Sequence, residues 1–347
     1  MRVVQVGAGF WGSGWAEVIH TFGPTELAAV VDLNEDTLNA ACDAIDLPDD
    51  RRFTSLDAAL ANVRADAALV VVPPEVHVPV AVQCLEAGLD CLIEKPFAPS
   101  VEEAEEVVRR ADDLGRNVMV TQSFRFKRGP QTVRRLVAEG AVGDIEVVEA
   151  RFAKAPPFTG FRAEMDEPLI VDMAIHHFDF LRGILGLEPA RVRARSFNPS
   201  WSWFRGNAAA FVEFETDAGA QVAYSGSWVS RSPETSWDAS WEIQGSAGSI
   251  TWAHNRVEYR PENFGLTVYR KSMLERGDGV MDVPLDELPA EEREGTLLEF
   301  ITAREEGRRP QADGADNLRS LGLVYGAVES TRSGDWVELP ALVAQSA

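Results

Sequence analysis

The sequence predicts an α/β protein: a doubly wound parallel sheet comes first, followed by an α+β domain with a large, mostly antiparallel open sheet. Three observations support this prediction. A glycine-rich turn joins the first apolar strand to the first helix, strands and helices alternate up to about residue 121, and strands with period-2 patterning follow from about residue 144. Regular strand–helix alternation is typical of parallel sheets, whereas period-2 patterning is typical of antiparallel ones.

Length and charge limit the function before any motif is considered. A chain of 347 residues is long enough for two domains, and we expect a nucleotide-binding domain over residues 1–122 and a second domain over residues 123–347. The net charge of −22 argues against binding to nucleic acid or to an anionic membrane surface.

The sequence also predicts a cytoplasmic protein. The first strand starts at residue 3, which leaves no room for a signal peptide, and no apolar run reaches the ~18 residues that a membrane helix needs. Cys42, Cys84 and Cys91 lie in apolar surroundings without the spacing of metal ligands. We therefore expect buried, reduced thiols and no metal site.

A G-x-G-x-x-G pattern follows the first strand and opens the first helix; its glycines are Gly7, Gly9 and Gly12. Gly7 allows a tight turn, Gly9 lets the backbone approach a diphosphate, and Gly12 lets the helix pack closely on the strand. A second strand ends at Asp32, 20 residues past Gly12, where a carboxylate can bind both ribose hydroxyls of an adenosine. The pattern predicts a Rossmann fold that binds NAD, since Asp32 would repel the 2′-phosphate of NADP and Leu33 supplies no positive charge.

The alternation of strands and helices continues through the first domain. We expect helices over residues 37–45, 56–63, 77–87 and 101–114, and strands over residues 27–31, 67–72, 90–94 and 117–121, with a short strand at Phe53. Open sheets of this kind bind ligands at the carboxyl ends of their strands. His77 opens a helix near that edge, where it either touches the nicotinamide end of a cofactor or only caps the helix.

The segment Glu94-Lys95-Pro96 ends a predicted buried strand. Because Pro96 forces the chain out of the strand, Lys95 emerges at the carboxyl edge of the predicted sheet. A charged lysine at the end of a buried strand is expected to have an ion-pair partner or a functional role. Position alone leaves two interpretations open: Lys95 pairs with Glu94, or it acts on a ligand.

From residue 144 the sequence predicts a second sheet, made of strands rich in β-branched and aromatic residues. The expected strands cover residues 145–152, 191–197, 209–215, 220–228, 240–243, 249–252, 257–259 and 266–269. Two late helices, over residues 291–306 and 316–331, are expected to close the chain.

One long helix is expected between these strands, over residues 169–185. It carries Asp172 and His176, which are i and i+4 and therefore share a helical face, with Asp179 further along the same face. A carboxylate one turn from an imidazole can orient the ring and raise its pKa. The same spacing also fits a pair that is only structural, and spacing does not decide between the two.

The glycine pattern, Glu94-Lys95-Pro96, and the helix with Asp172 and His176 together resemble the glucose–fructose oxidoreductase / inositol dehydrogenase family (Gfo/Idh/MocA). The resemblance spans the whole chain. Further similar segments are residues 70–77, 139–145 and 245–250. The resemblance implies a nicotinamide cofactor in the first domain. It also implies a substrate-binding sheet in the second domain, which often joins subunits as well.

The resemblance assigns roles to individual residues. Lys95, Asp172 and His176 match the catalytic positions of the family and, with Arg125, the positions that face the substrate. The implied cofactor-binding residues are Gly7, Gly9, Phe10, Trp11, Gly12, Asp32, Val72, Pro73, His77, Glu94 and Lys95. One departure bears on the substrate: where the family usually has glycines before the catalytic helix, this chain has Asp166-Glu167-Pro168.

The implied activity is hydride transfer between NAD, rather than NADP, and a secondary alcohol of a sugar, an inositol-like polyol or a sugar acid. His176 would act as acid or base, Lys95 would stabilise the developing alkoxide, and Asp172 would orient one of the two. Whether Lys95 or His176 takes the proton stays open. The alternatives are an NAD-using glycoside hydrolase on the same fold and a non-catalytic NAD-bound regulator. We also expect a homodimer or homotetramer, because an open sheet with an apolar, aromatic face would otherwise expose a large patch.

Overall fold

The computed structural model describes residues 1–261 and 279–339. The chain forms two compact units. The first unit comprises residues 1–126 and 289–321, and the second comprises residues 127–288 and 322–347. Residues 289–321, which the sequence placed in the second domain, thus pack with the nucleotide-binding half, while the domain boundary after residue 122 stays a prediction.

The first unit is built on a six-stranded parallel sheet. Its strands are β1 (Arg2–Val6), β2 (Glu26–Val31), β3 (Arg52–Phe53), β4 (Ala67–Val70), β5 (Asp90–Ile93) and β6 (Val118–Val120). Their order across the sheet is β3-β2-β1-β4-β5-β6, and all neighbouring strands are parallel. This order reverses between β1 and β4, as in doubly wound folds that bind ligands at that point. It confirms the predicted Rossmann domain.

Five helices connect the described strands of this sheet. They are α1 (Phe10–Thr21), α2 (Glu35–Asp43), α3 (Leu56–Asn62), α4 (His77–Glu86) and α5 (Val101–Leu114). The side chains of Asn34, Ser55 and Ser100 accept hydrogen bonds from early backbone amides of α2, α3 and α5. Such caps satisfy N–H groups that the start of a helix leaves unpaired. The start of α1 differs, because its N-cap is Gly9 and no side chain of the described residues caps it.

The α1 helix is held on the sheet by one apolar face. Trp15, Ala16 and Ile19 are completely buried, and they belong to one core cluster with Leu27 of β2 and Leu69 of β4. Full burial of a large apolar side chain contributes roughly 1.5–3 kcal/mol. This packing holds the start of α1 at the carboxyl edge of the sheet.

The second unit contains a nine-stranded sheet. Its strands are β7 (Ile145–Ala153), β8 (Pro189–Phe197), β9 (Ala209–Thr216), β10 (Gln221–Ser227), β11 (Ser240–Gly245), β12 (Gly248–Ala253), β13 (Arg256–Pro261), β14 (Met281–Val283) and β15 (Val337–Glu338). Their order is β14-β13-β12-β11-β7-β10-β9-β8-β15. The pair β7–β10 is parallel and the other pairs are antiparallel, which confirms the predicted sheet. The strand predicted at residues 266–269 lies outside the described residues.

The other α-helices of the described residues are α6 (Arg128–Ala138), α7 (Phe161–Glu164), α8 (Ile175–Gly183), α9 (Glu292–Glu306) and α10 (Gly314–Ser333). The sequence pattern did not predict α6. Pro130 stands in its first turn, where a proline costs no intrahelical hydrogen bond. Over the ranges 1–261 and 279–339, no helix is both long and apolar enough to cross a membrane.

The helix predicted over residues 169–185 consists of two parts. Leu169–Ala174 is a π-helical turn, and α8 starts directly after it at Ile175. The predicted helix is therefore present over residues 169–183, but its first part does not have α-helical winding. Asp172 lies in the wider turn and His176 in α8, so the i, i+4 spacing of an α-helix does not describe this pair. Nothing in the sequence pattern marks the wider turn, although such turns occur frequently at functional sites.

The open face of the second sheet carries more charge than we predicted. Arg193 of β8 lies opposite Glu213 of β9, and Arg191 lies opposite Glu215. Arg191 Nη2 and Glu215 Oε2 are 2.6 Å apart. Phe211 on the same face is 56% exposed. Charged side chains, rather than a broad apolar patch, thus mark this part of the face. The homo-oligomer stays a prediction, which light scattering at micromolar protein would test.

His177 of α8 lies in an aromatic cluster in the core of the second unit. Its buried ring lies 5.0 Å from the Phe152 ring and 5.6 Å from the Tyr224 ring, between centroids. Nε2–H donates to the carbonyl oxygen of Trp237 at 2.9 Å, so Nδ1 accepts from the Tyr224 hydroxyl at 3.0 Å. Burial lowers the pKa of His177 from 6.5 to about 4, and the charge of Lys127 acts in the same direction. The ring is therefore neutral at pH 7.

We predict that His177 makes the protein less stable in acid. Its pKa is lower in the folded state than in the unfolded state, so its contribution is fully present above pH 6.5 and is lost as the pH falls through about 4. The loss amounts to at most about 3 kcal/mol in the free energy of unfolding. Urea unfolding of the wild type at pH 7 and at pH 4 measures it.

The matched variant is His177→Gln, which removes the titrating ring and should lose less stability than the wild type over this pH interval. His20→Gln replaces an exposed histidine of α1 and should keep the wild-type pH dependence. Identical pH dependence in the wild type and in His177→Gln contradicts the prediction.

Candidate active site

Backbone contacts hold the glycine turn between β1 and α1. Gly7 has a φ of +103°, and a Cβ built on it would overlap the carbonyl oxygen of Val71. A Cβ on Gly12 would overlap the carbonyl oxygen of Gly7. Gly9 differs, because a Cβ there meets no atom within 4 Å. The turn therefore needs glycine at positions 7 and 12 for its own geometry, whereas Gly9 keeps the space beside the backbone open.

Asp32 lies against this turn, at the end of β2. Its Oδ2 atom accepts a hydrogen bond from the backbone N–H of Ala8 at 2.7 Å, and Oδ1 accepts one from the N–H of Asn34 at 2.9 Å. The neighbouring Leu33 is 89% exposed. The structure thus brings Asp32 to the glycine pattern, with an uncharged side chain beside it.

Lys95 is the second residue after β5, at the same carboxyl edge of the parallel sheet. Both carboxylate oxygens of the preceding Glu94 are used: Oε1 accepts from Trp15 Nε1 at 2.7 Å, and Oε2 accepts from the backbone N–H of Lys95 at 3.0 Å. The Lys95–Pro96 peptide bond is cis. Glu94 therefore ties the turn that presents Lys95 to α1.

His77, the first residue of α4, is buried among backbone carbonyl groups. Nε2 faces the oxygen of Val72 at 2.9 Å, and Nδ1 faces the oxygens of Pro96 and Phe97 at 3.0 and 3.2 Å. A neutral ring can donate to only one of these two sides. Burial lowers the pKa of His77, and the carbonyl groups act in the opposite direction. The ring links the segment after β4 to the turn after Lys95, and its contact with a cofactor stays a prediction.

The other predicted cofactor residues lie around the same turn. Phe10 and Trp11 form the first turn of α1 and are 87% and 45% exposed. Val72 and Pro73 follow β4, next to the segment that packs on the glycine turn. The first unit therefore gathers all the residues predicted to bind the cofactor at one sheet edge.

Arg125 lies in the 3₁₀ turn Ser123–Phe126, after β6. It is 4% exposed, and its Nη2 atom donates to Asp316 Oδ2 of α10 at 2.8 Å. The structure thus gives Arg125 an ion-pair partner inside the first unit. Its contact with a substrate stays a prediction.

In the second unit, Asp172 and His176 are both buried. Asp172 Oδ2 accepts a hydrogen bond from Nε of Arg162 on α7 at 2.7 Å. The Arg162 guanidinium stacks on Phe158 and Phe161, 5.5 and 4.6 Å from their ring centroids. Sequence analysis missed Arg162, because it lies on a four-residue helix without a clear pattern and meets Asp172 only in the folded chain. A paired carboxylate and guanidinium thus precede α8.

Close contacts fix the loop before the π-helical turn, where the chain departs from the family pattern. Glu167 Oε1 accepts hydrogen bonds from Ser196 Oγ and Asn207 Nδ2, both at 2.8 Å. A Cβ on Gly206 would overlap the carbonyl oxygen of Asp166. Asp166 and Glu167 therefore have defined partners in the second unit.

The residues of the first unit fit a dinucleotide. The space beside Gly9 and the amides at the start of α1, which no side chain caps, form a cradle for a diphosphate. Helix N-termini attract such anions through their N–H groups and their positive end. The carboxylate of Asp32 follows β2 and contacts the turn at Ala8, where it can also accept hydrogen bonds from ribose hydroxyls.

We predict opposite effects of two alanine substitutions in the glycine turn. Gly12→Ala forces a methyl group against the Gly7 carbonyl and should lower stability by roughly 1–3 kcal/mol. Gly9→Ala should change stability by less than about 0.5 kcal/mol. It should nevertheless weaken NADH binding about tenfold or more, because the methyl group fills the space for the diphosphate. Thermal melting and calorimetric titration with NADH on the same samples measure both effects. Unchanged NADH affinity in Gly9→Ala would rule out this cradle.

Two family models match the chain. The oxidoreductase family model, described as an NAD-binding Rossmann fold, matches residues 1–122. The GFO/IDH/MocA C-terminal domain model matches residues 130–251.

Individual proteins are similar over nearly the full length. An uncharacterized protein of Sinorhizobium fredii is 27% identical over 352 residues, covering 97% of this chain and 95% of its own. The inositol 2-dehydrogenase of Rhizobium meliloti is 27% identical over 339 residues, covering 95% and 96%. A solved oxidoreductase from Agrobacterium radiobacter, in complex with NAD+, L-tartaric acid and magnesium, has the same fold. It is 21% identical, covers 97% of this chain and 98% of its own, and gives a TM-score of 0.85.

The first matched range contains the parallel sheet, and the second contains β7 to β11 and most of β12 of the second sheet. The chain therefore belongs to the Gfo/Idh/MocA oxidoreductase family, and its first domain is an NAD-binding Rossmann fold.

Proposed function

We propose that the protein is an NAD-dependent oxidoreductase that acts on a secondary alcohol of a sugar, a polyol or a sugar acid. The observation that carries the proposal is family similarity in both halves of the chain, together with similarity to an inositol 2-dehydrogenase over 95% of its length. The name of that relative supports the substrate class. Lys95, Asp172 and His176 are the residues that we propose carry out the chemistry.

Lys95 is proposed to stabilise the negative charge that develops on the substrate oxygen. Its backbone is held on two sides, since Glu94 accepts its N–H and the His77 ring faces the carbonyl groups that follow it. A positive group held in place before the reaction stabilises a developing charge without a reorganisation cost. When bound, the nicotinamide ring accepts or gives the hydride.

His176 is proposed to take or give the proton of the substrate hydroxyl. An imidazole titrates near neutral pH and can do either. Asp172 is proposed as the group that orients it. The ion pair with Arg162 supports this role, because it holds the Asp172 carboxylate in one position.

NAD is proposed over NADP because of the charge at the end of β2. Asp32 carries a carboxylate beside the glycine turn, and the adjacent Leu33 offers no positive group. A 2′-phosphate would place like charges close together, whereas two ribose hydroxyls can donate to the carboxylate.

We expect the wild type to bind NADH at least about tenfold more tightly than NADPH, a difference of about 1.4 kcal/mol. Asp32→Ala should weaken NADH binding and reduce the difference between the affinities for NADH and NADPH. Asp32→Asn is the matched variant, because it removes the charge and keeps an oxygen for the N–H of Ala8. Calorimetric titration with both cofactors measures the ratio, and equal or tighter binding of NADPH by the wild type would reject the assignment.

We expect Lys95→Ala and His176→Asn each to reduce turnover by about 10²–10⁴-fold, the range for a positioned acid–base group. A screen of sugars, inositols and sugar acids for net NADH formation first identifies a substrate. NADH affinity should fall much less in both variants. The two losses should not multiply in the double variant, because groups that act as one unit are strongly non-additive.

The controls separate this proposal from its alternatives. His20→Asn replaces an exposed histidine and should keep wild-type turnover, and melting temperatures of all variants reveal purely structural losses. Near-normal turnover per folded molecule in both single variants would remove Lys95 and His176 from the mechanism. Cleavage of glycosides without net NADH formation would favour the hydrolase, and NADH binding without any turnover would favour the regulator.

A further inference from the structure

Arg293 of α9 covers the start of α1 within the first unit. Its guanidinium carbon lies 4.9 Å from the ring centroid of Trp11 and 5.2 Å from that of Trp15. A Cβ on Gly14 would overlap its Nη1 atom. Trp11, Gly14 and Trp15 are i, i+3 and i+4, so they form one face of α1. Arg293 lies over this face, and the missing side chain at Gly14 makes room for it.

Without a ligand, the surroundings of Arg293 disfavour its positive charge. Gly14 is only about 6 Å along the helix axis from Phe10, at a rise of ~1.5 Å per residue. The N-terminal end of a helix carries partial positive charge, which repels a second positive group. Within the described residues, the guanidinium N–H groups of Arg293 donate to no protein acceptor. Burial lowers the pKa of Arg293, although Glu94 and Glu292 act in the opposite direction. A bound anion would relieve both costs.

The sheet order gives the side of the turn on which Arg293 lies. Asp32, the expected partner of the adenosine ribose, bonds to Ala8 from the β2 side. Trp15, on which Arg293 stacks, bonds to Glu94 on the β5 side. Because β2 and β5 flank the β1–β4 pair on opposite sides, Arg293 lies away from the adenosine end and toward the Lys95 turn.

We infer that Arg293 is a cofactor-binding residue whose guanidinium contacts the diphosphate of the dinucleotide on the Lys95 side of the glycine turn. A guanidinium can bind a phosphate through two parallel N–H donors, which adds charge to the contacts of the neutral amides. Stacking on two indole rings holds the planar group in one orientation before the ligand arrives. The inference rests on the proposed cofactor site and extends it by a residue from near the end of the chain.

Titration of Arg293→Gln and Arg293→Lys with NADH and with ADP-ribose tests the inference. ADP-ribose carries the diphosphate and both riboses but no nicotinamide ring. We expect Arg293→Gln to weaken the binding of both ligands by the same factor, about tenfold or more. Arg293→Lys should recover part of the lost affinity. Arg293→Gln should also bind with a weaker dependence on salt concentration, because one charge contact is gone.

The matched control is Arg308→Gln. It removes an arginine that follows α9 and pairs with Glu299 at 2.7 Å, and it should bind both ligands like the wild type. Melting temperatures of all variants are measured in parallel.

Three other outcomes each overturn the inference in a recognisable way. Unchanged affinities with a lower melting temperature in Arg293→Gln mean that Arg293 only joins α9 to α1. A loss for NADH with none for ADP-ribose places Arg293 at the nicotinamide ring instead of the diphosphate. A wild type that binds neither ligand refutes the proposed function itself, which the first two outcomes leave standing.

Discussion

The close approach of three backbone segments at the glycine turn is the constraint on which the first unit depends. The turn brings Gly7 against the carbonyl of Val71 and Gly12 against the carbonyl of Gly7, so no side chain fits between them. This contact allows α1 to lie on the sheet with Trp15 fully buried. From that position the indole N–H reaches Glu94, which in turn binds the backbone before Pro96. Close packing at the glycine turn thereby helps to position the separate turn that contains Lys95.

Local electrostatics must work against the charge of the whole chain. A protein with a net charge of −22 repels a dinucleotide diphosphate at long range. At physiological ionic strength charges are screened over about 8 Å, so the groups within the site dominate the binding energy. The first unit concentrates positive potential there through the start of α1 and through Arg293, while Asp32 keeps negative charge on the β2 side.

Two adjacent histidines lie in the second unit, and we propose different roles for them. His177 points into an aromatic cluster, where Tyr224 and Trp237 satisfy both ring nitrogens and burial keeps the ring neutral. It is therefore a core residue. His176 stands one position earlier and follows the π-helical turn. That turn contains Asp172, whose Oδ2 atom accepts a hydrogen bond from Arg162. His177 is thus held in the core, whereas His176 is the residue that we propose for proton transfer.

The sequence by itself determined both sheets and most of their helices, because periodicity, glycine spacing and turn residues act over a few positions. It also located the glycine turn, Asp32 and the Lys95 turn, since each follows a strand whose end lies at a known edge. The tertiary structure decided the π-helical turn before α8, the pairing of Asp172 with Arg162, and the placement of Arg293 on α1. These depend on contacts between segments far apart in the chain, or on a small change of helical winding, and neither leaves a local pattern in the sequence.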